Sequence, residues 1–274
     1  MKHKKPWRFN VSLISIFVGL TLLASLVCMQ AAEKKSASES KKSLEDIRTK
    51  VKKIGPGRYR LGSLRIHARE KTVQFPGRVN MDEGGPIELL LCLTEGKVHE
   101  SVLTTDIKPL YLQVALILLN LKPGRNPGLR FYGEEKTEEK NEPPAGDMVE
   151  IFVEWEEGEN KKKKVKKRAE KLLWDVNEKK PLEDTKWVFV GSRWVKGRFG
   201  ADVEGSLVTT FYDPFAILEI STKRVNDDTW GAVNQKLCPS KGTDVTIIVR
   251  AVNKDGGPAK HDNNSEGNET GEED

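Results

Sequence analysis

Sulfur, histidine and aromatic surface are all scarce in this chain of 274 residues, which holds three cysteines, four histidines and 7% aromatic residues. Cys28 lies in an apolar leader, so removal of that leader keeps only Cys92 and Cys238. Two sulfurs exclude a thiolate-only zinc or iron–sulfur centre, while an oxidising compartment leaves open a Cys92–Cys238 disulfide. The alternative for Cys92, set inside LLLCL, is a small buried apolar side chain. No Gly-x-Ser-x-Gly elbow occurs. His99-Glu100-Ser101-Val102-Leu103 carries leucine where a zinc protease needs its second histidine. Gly84-Gly85-Pro86 precedes an apolar strand and not a helix, so it is a turn and no phosphate cradle. No internal repeat is visible.

A field of one sign is missing too. The formal charge is +5, but Lys2, Lys4, Lys5 and Arg8, with no acid in residues 1–32, supply all but one unit of it. That excludes a global nucleic-acid field, and no nucleic-acid partner is expected. The basic run Lys161 to Arg168 faces Glu150, Glu154, Glu156 and Glu157 across a turn, which reads as a hairpin of opposite charges. It lacks the interleaved aromatics that single-stranded binding uses.

What is present begins with an export-type leader: a basic start, an apolar run over residues 11–27, then Cys28-Met29-Gln30-Ala31-Ala32. Residues 1–32 therefore read as a signal peptide or, if uncut, an N-terminal anchor, and the protein as exported, periplasmic or held at the cell envelope. Residues 33–53 read as a charged linker and residues 253–274 as an acidic disordered tail. Hydrophobic residues make up 37% of the chain, enough for one core in residues 54–252. Period-two alternation marks strands at 59–61, 64–67, 72–79, 148–156, 187–191, 206–210 and 243–252, and Pro109 opens an apolar helix to Leu119.

The centre of this plan is residues 84–120, read as an apolar strand from Ile87 to Leu93, a turn at Thr94-Glu95-Gly96-Lys97 and a returning strand from Val98 to Thr105. The expected class is α+β, a predominantly antiparallel sheet with one buried helix packed on it, plus the leader helix and tails. The tip of this hairpin carries the one cluster of reactive side chains. His99, Glu100 and Glu88 are the candidates for acid/base work, and Lys97 and Ser101 for binding. On a regular strand His99 and Ser101 share a face that Glu100 does not, so His99 and Glu100 act together only across a bulge. With His67 and His99 the only histidines of the body, a metal centre would need carboxylates such as Glu88 or Glu100 to complete it, and no metal or other cofactor is assigned.

The run FPGRVN…GGPIELLLCLTEGKVHESVLTTDIKPLYLQVALILLNLKPG resembles the YdjY domain, as do MVEIFVEW, LLWDV, WVFVGSRW and GTDVTIIV. The resemblance implies an exported bacterial protein without an assigned activity, and transfers no role to Glu88, Lys97, His99, Glu100 or Ser101. It implies no redox function either, because the cysteine-rich addition of some relatives is lacking. The expected function is a binding or scaffold module for an envelope partner or small ligand. The alternatives are an acid/base hydrolase using His99 with Glu88 or Glu100, and a metal binder.

Overall fold

Alternating apolar and polar residues put one set of side chains on each face of a strand, and that pattern accounts for most of the architecture. The computed structural model describes residue 43 and residues 45–126, 143–158, 163–222 and 227–252. The leader, the start of the linker, the middle of the loop after Arg125 and the acidic tail lie outside the described residues. Among the described residues no helix is long and apolar enough to cross a membrane.

In chain order the strands are β1 (Lys52–Gly55), β2 (Arg58–Leu61), β3 (Leu64–His67), β4 (Thr72–Val79), β5 (Leu89–Leu93) and β6 (Ser101–Thr105). After helix α1 (Pro109–Leu118) come β7 (Met148–Glu157), β8 (Lys163–Arg168), β9 (Leu173–Asp175), β10 (Lys180–Pro181), β11 (Trp187–Phe189), β12 (Trp194–Val195) and β13 (Arg198–Phe199). The short helix α2 (Gly200–Glu204) then leads to β14 (Ser206–Thr209), β15 (Leu218–Ile220), β16 (Gly231–Val233) and β17 (Asp244–Ala251).

The fold is β-rich as expected, and its main sheet closes on itself, a feature that the expectation of an antiparallel sheet with a helix packed on it did not specify. Strands β4, β17, β7, β11, β15, β14, β5 and β6 lie side by side, and β6 pairs back onto β4 through Arg78–Thr104 and Val79–Leu103, completing an eight-stranded barrel. Closure leaves no bare edge along that ring. Valine, isoleucine and tryptophan at every second position fill its interior: Val149, Ile151, Val153 and Trp155 on β7 meet Val245, Ile247 and Val249 on β17, all buried. Each such side chain contributes about 1.5–3 kcal/mol when withdrawn from water.

The first half of β4 pairs with β3 instead, so β1, β2 and β3 form a wing off the barrel. This moves the boundary of the body. Lys52–Gly55, at the end of the stretch read as a linker, is a strand, and Ile47 ahead of it is 4% exposed in the core. The inner face of the wing, with Leu61, Leu64 and Ile66, covers α1, whose Leu112, Val114, Ala115 and Leu116 are buried. Asp202 of α2 accepts a hydrogen bond from the Leu110 amide at 3.0 Å, satisfying one of the donors that a helix start leaves unpaired.

The β7–β8 ribbon has the charge pairing expected of it. Glu154 faces Lys166 and Glu156 faces Lys164, with ion pairs from Lys164 to Glu154 at 2.6 Å and from Arg168 to Glu150 at 2.6 Å. After β8 the chain makes a 3-10 turn at Ala169–Leu172 that leads directly into β9.

Candidate functional site

The central segment is not a hairpin. Strands β5 and β6 run parallel, with Leu89 beside Ser101, Leu91 beside Leu103 and Leu93 beside Thr105, and the chain doubles back between them through a 3-10 turn at Val98–Glu100. A strand at Val98 would have continued the alternation; the turn breaks it and redistributes the five candidate residues. His99 and Glu100 become neighbours, His99 Nε2 lying 3.6 Å from Glu100 Oε2, the proximity that a regular strand forbids. The His99 side chain, however, is 77% exposed and is not among the residues lining the cleft on which Glu88 and Lys97 converge. Ser101 is fully buried and donates its hydroxyl to the Leu103 carbonyl at 2.8 Å, so it supports β6 and offers no group to a ligand.

Glu88 and Lys97, by contrast, converge on a cleft of about 240 Å³ together with Glu204, Thr209, Phe211, Tyr212, Asp213 and Phe215. The main chain fixes Glu88 on both sides: its amide donates to the Glu100 carbonyl at 3.1 Å, and its carbonyl accepts from the Thr210 amide at 2.8 Å. Lys97 Nζ lies 3.3 Å from Asp213 Oδ2, while Asp213 Oδ1 accepts the Phe215 amide at 2.8 Å, so the Asp213-Pro214 break folds into a turn that presents its carboxylate to the lysine. Asn126 donates to the Asp213 carbonyl and holds the same turn from behind.

Electrostatics separate these carboxyls. Partial burial, followed by the charge of Glu100, raises the Glu88 pKa, and Lys97 offsets only part of that. Burial pulls the Lys97 ammonium down, but Asp213, by charge and hydrogen bond, with Glu100 and Glu88, outweighs it and leaves Lys97 raised. Beside the cleft, Glu219 pairs with Thr209 across β14 and β15, on the same face of the sheet. Glu219 is 0% exposed and, among the described residues, neither of its oxygens has a partner. Burial, with a smaller push from Asp213, lifts its pKa to about 9, so it is a neutral acid at pH 7.

Sequence reasoning missed Asp213, Glu204, Glu219 and the aromatic wall. A signal existed for two of them: Asp213 precedes a proline that breaks the chain, and Glu219 is the lone acid in the apolar run Phe215 to Ile220. The cysteines do not pair. Cys92 is buried on β5, and Cys238 is a free thiol whose Sγ lies 3.6 Å from the Met81 carbonyl. Burial raises both thiols, Cys238 to about 12 with added repulsion from Asp82, so neither is a reactive thiolate. Among the described residues no group of three or more His, Cys, Asp or Glu side chains is placed to hold a metal ion, which leaves the metal-binder alternative without a ligand set there.

The YdjY domain model matches residues 64–250, more than half of the chain. The chain belongs to the YdjY domain family. The match spans β3 to β17 and so contains the barrel, the cleft and Glu219, while β1 and β2 precede it. No curated protein and no solved structure matches the chain.

Proposed function

We propose that this YdjY protein is an exported binding module of the cell envelope, and that its cleft holds a small ligand bearing a positively charged nitrogen. Three carboxyls, Glu88, Glu204 and Asp213, line the cleft against the single ammonium of Lys97, with Phe211, Tyr212 and Phe215 around them. The observation that carries the reading is this excess of acid in an aromatic-walled cavity, because a cation gains from both the carboxylates and the ring faces. Lys97 and the Phe215 amide hold the Asp213 carboxyl in place at the cleft, so its position is fixed before a ligand arrives.

A matched pair of probes tests it on the full chain. Phenethylamine should raise the melting temperature, and phenylacetate, of like shape and opposite charge, should not. Glu88→Gln and Asp213→Asn should each reduce the amine effect by about tenfold in apparent affinity, as loss of a charge-assisted contact does, whereas His99→Gln should change neither stability nor binding. Stabilisation by phenylacetate alone would overturn the assignment.

One observation favours an acid/base enzyme as the second reading. The Glu88 pKa is raised by partial burial and by the charge of Glu100, and Glu88 lines the same cleft as the Lys97–Asp213 pair, an arrangement suited to proton transfer. Glu88 takes the role expected of His99, and turnover of chromogenic esters that Glu88→Gln abolishes would favour this reading over simple binding.

A further inference from the structure

The outer face of the wing is charged in a way found nowhere else in the described structure. Register sets Lys52 directly opposite Arg60 and Arg60 directly opposite Arg65, with Arg58 next to them opposite His67. Lys52, Arg58, Arg60 and Arg65 are all exposed. Among the described residues none of the four makes an ion pair or a side-chain hydrogen bond. On the β7–β8 ribbon of the same protein the opposite rule holds, since Lys164, Lys166 and Lys163 face Glu156, Glu154 and Glu157. Like charges directly opposite one another destabilise a strand pair. A ribbon that accepts this cost twice in succession, beside one that avoids it at every step, has a surface arranged for an anionic partner.

We infer that this face docks the protein on an anionic phospholipid bilayer. The row crosses three adjacent strands about 4.8 Å apart, so its charges fall within one Debye length of each other and act on a flat surface together. The face is a sheet and not a groove, which suits a planar partner. Ile54, in the same ribbon, leaves 52% of its surface exposed, an apolar group beside the bases that a bilayer interface accommodates. No aromatic side chain stands in the row to stack on bases, as a single-stranded nucleic acid would require. Lys52, Arg58 and Arg60 precede the segment that the YdjY model matches, so most of the row lies outside that match. This assignment is independent of the cleft.

Cosedimentation of the full chain with vesicles of phosphatidylcholine alone and of phosphatidylcholine mixed with phosphatidylglycerol tests it. The leader's four bases, Lys2, Lys4, Lys5 and Arg8, also favour the anionic vesicles, so the comparison is made with these four replaced by Gln, and the reading is the gain on adding the anionic lipid in that background. That gain should be about tenfold or more at low salt and should vanish at high salt, as screened surface attraction does. Arg60→Gln with Arg65→Gln should remove most of it, while Lys164→Gln with Lys166→Gln on the acid-paired ribbon should leave it. No gain, a gain that salt leaves untouched, or a gain that survives the Arg60/Arg65 pair would each overturn the proposal. Release of the protein from the vesicles by an equal charge of soluble polyphosphate, at affinity matching the lipid, would overturn it in favour of a polymer site. Because the salt titration in the leader-substituted chain needs no change in the wing, the outcome does not hang on the Arg60/Arg65 double substitution folding.

Discussion

A buried carboxyl with no partner costs more than any other side chain discussed above, and Glu219 is that residue. Its proton is released near 4.5 in the unfolded chain and near 9 in the native one. Between those values the native state binds more protons than the unfolded state, so stability falls as pH rises, by up to about 1.4 kcal/mol per pH unit. Below the lower value both states hold the proton and the effect disappears. Glu219→Gln, neutral at every pH, should therefore match the parent near pH 4 and exceed it near pH 8 by several degrees in melting temperature. A parallel pH dependence of the two proteins would remove Glu219 from the cleft's electrostatics. The sequence showed this residue only as a break in an apolar run, whereas His99 drew attention by its chemistry. Residue type identifies what a side chain can do, and burial decides whether it is asked to, which is why His99 turns out exposed and Glu219 sealed.

At the scale of elements, the longer strands were legible from period-two alternation and the helix from Pro109 and its apolar run, because those signals are local, whereas β1 and short strands such as β9, β10 and β16 were too brief to show a period. Partnership was not. Strands β5 and β6 have the composition of a hairpin, and the turn residues Thr94 to Lys97 fit one, yet each strand finds its antiparallel neighbour elsewhere, β5 in β14 and β6 in β4. What makes the crossover possible is a close approach invisible in the sequence. Gly96 packs on Gly205, the left-handed residue that ends α2 at φ 75°, and the Gly205 carbonyl accepts the Leu93 amide at 2.9 Å. A Cβ at Gly205 would come within 3.0 Å of the Gly96 Cα and would sit on backbone that only glycine adopts freely. Gly205→Ala should cost about 1–3 kcal/mol in denaturant unfolding, and should weaken amine binding as well, since the displaced crossover carries Lys97 away from Asp213. Loss of stability with binding intact would mean that Lys97 is positioned by Asp213 alone.

For the whole molecule, closure is the property that sequence patterns could not show, because it depends on pairing between β4 and β6, one strand on each side of the cleft segment. The consequence is an uneven distribution of stability. Strand β17 is paired along its length on both sides, with β4 over Asp244–Arg250 and with β7 over Thr246–Ala251. Strand β1 is paired on one side only, at the outer end of the sheet order, with a register shift at Gly55 and repelling charges opposite. Opening β1 breaks few buried contacts, whereas opening β17 dissolves the ring. Native-state hydrogen exchange should therefore show the amides of β1 and β2 exchanging at least about tenfold faster than those of β17. Since the fast amides belong to the basic wing, anionic vesicles should slow them selectively and leave β17 at its own rate, tying the local stability of the wing to what it touches. Uniform exchange across β1 and β17 would show that the wing and the barrel open as one unit, and the wing would then be a structural edge of the body with no independent response.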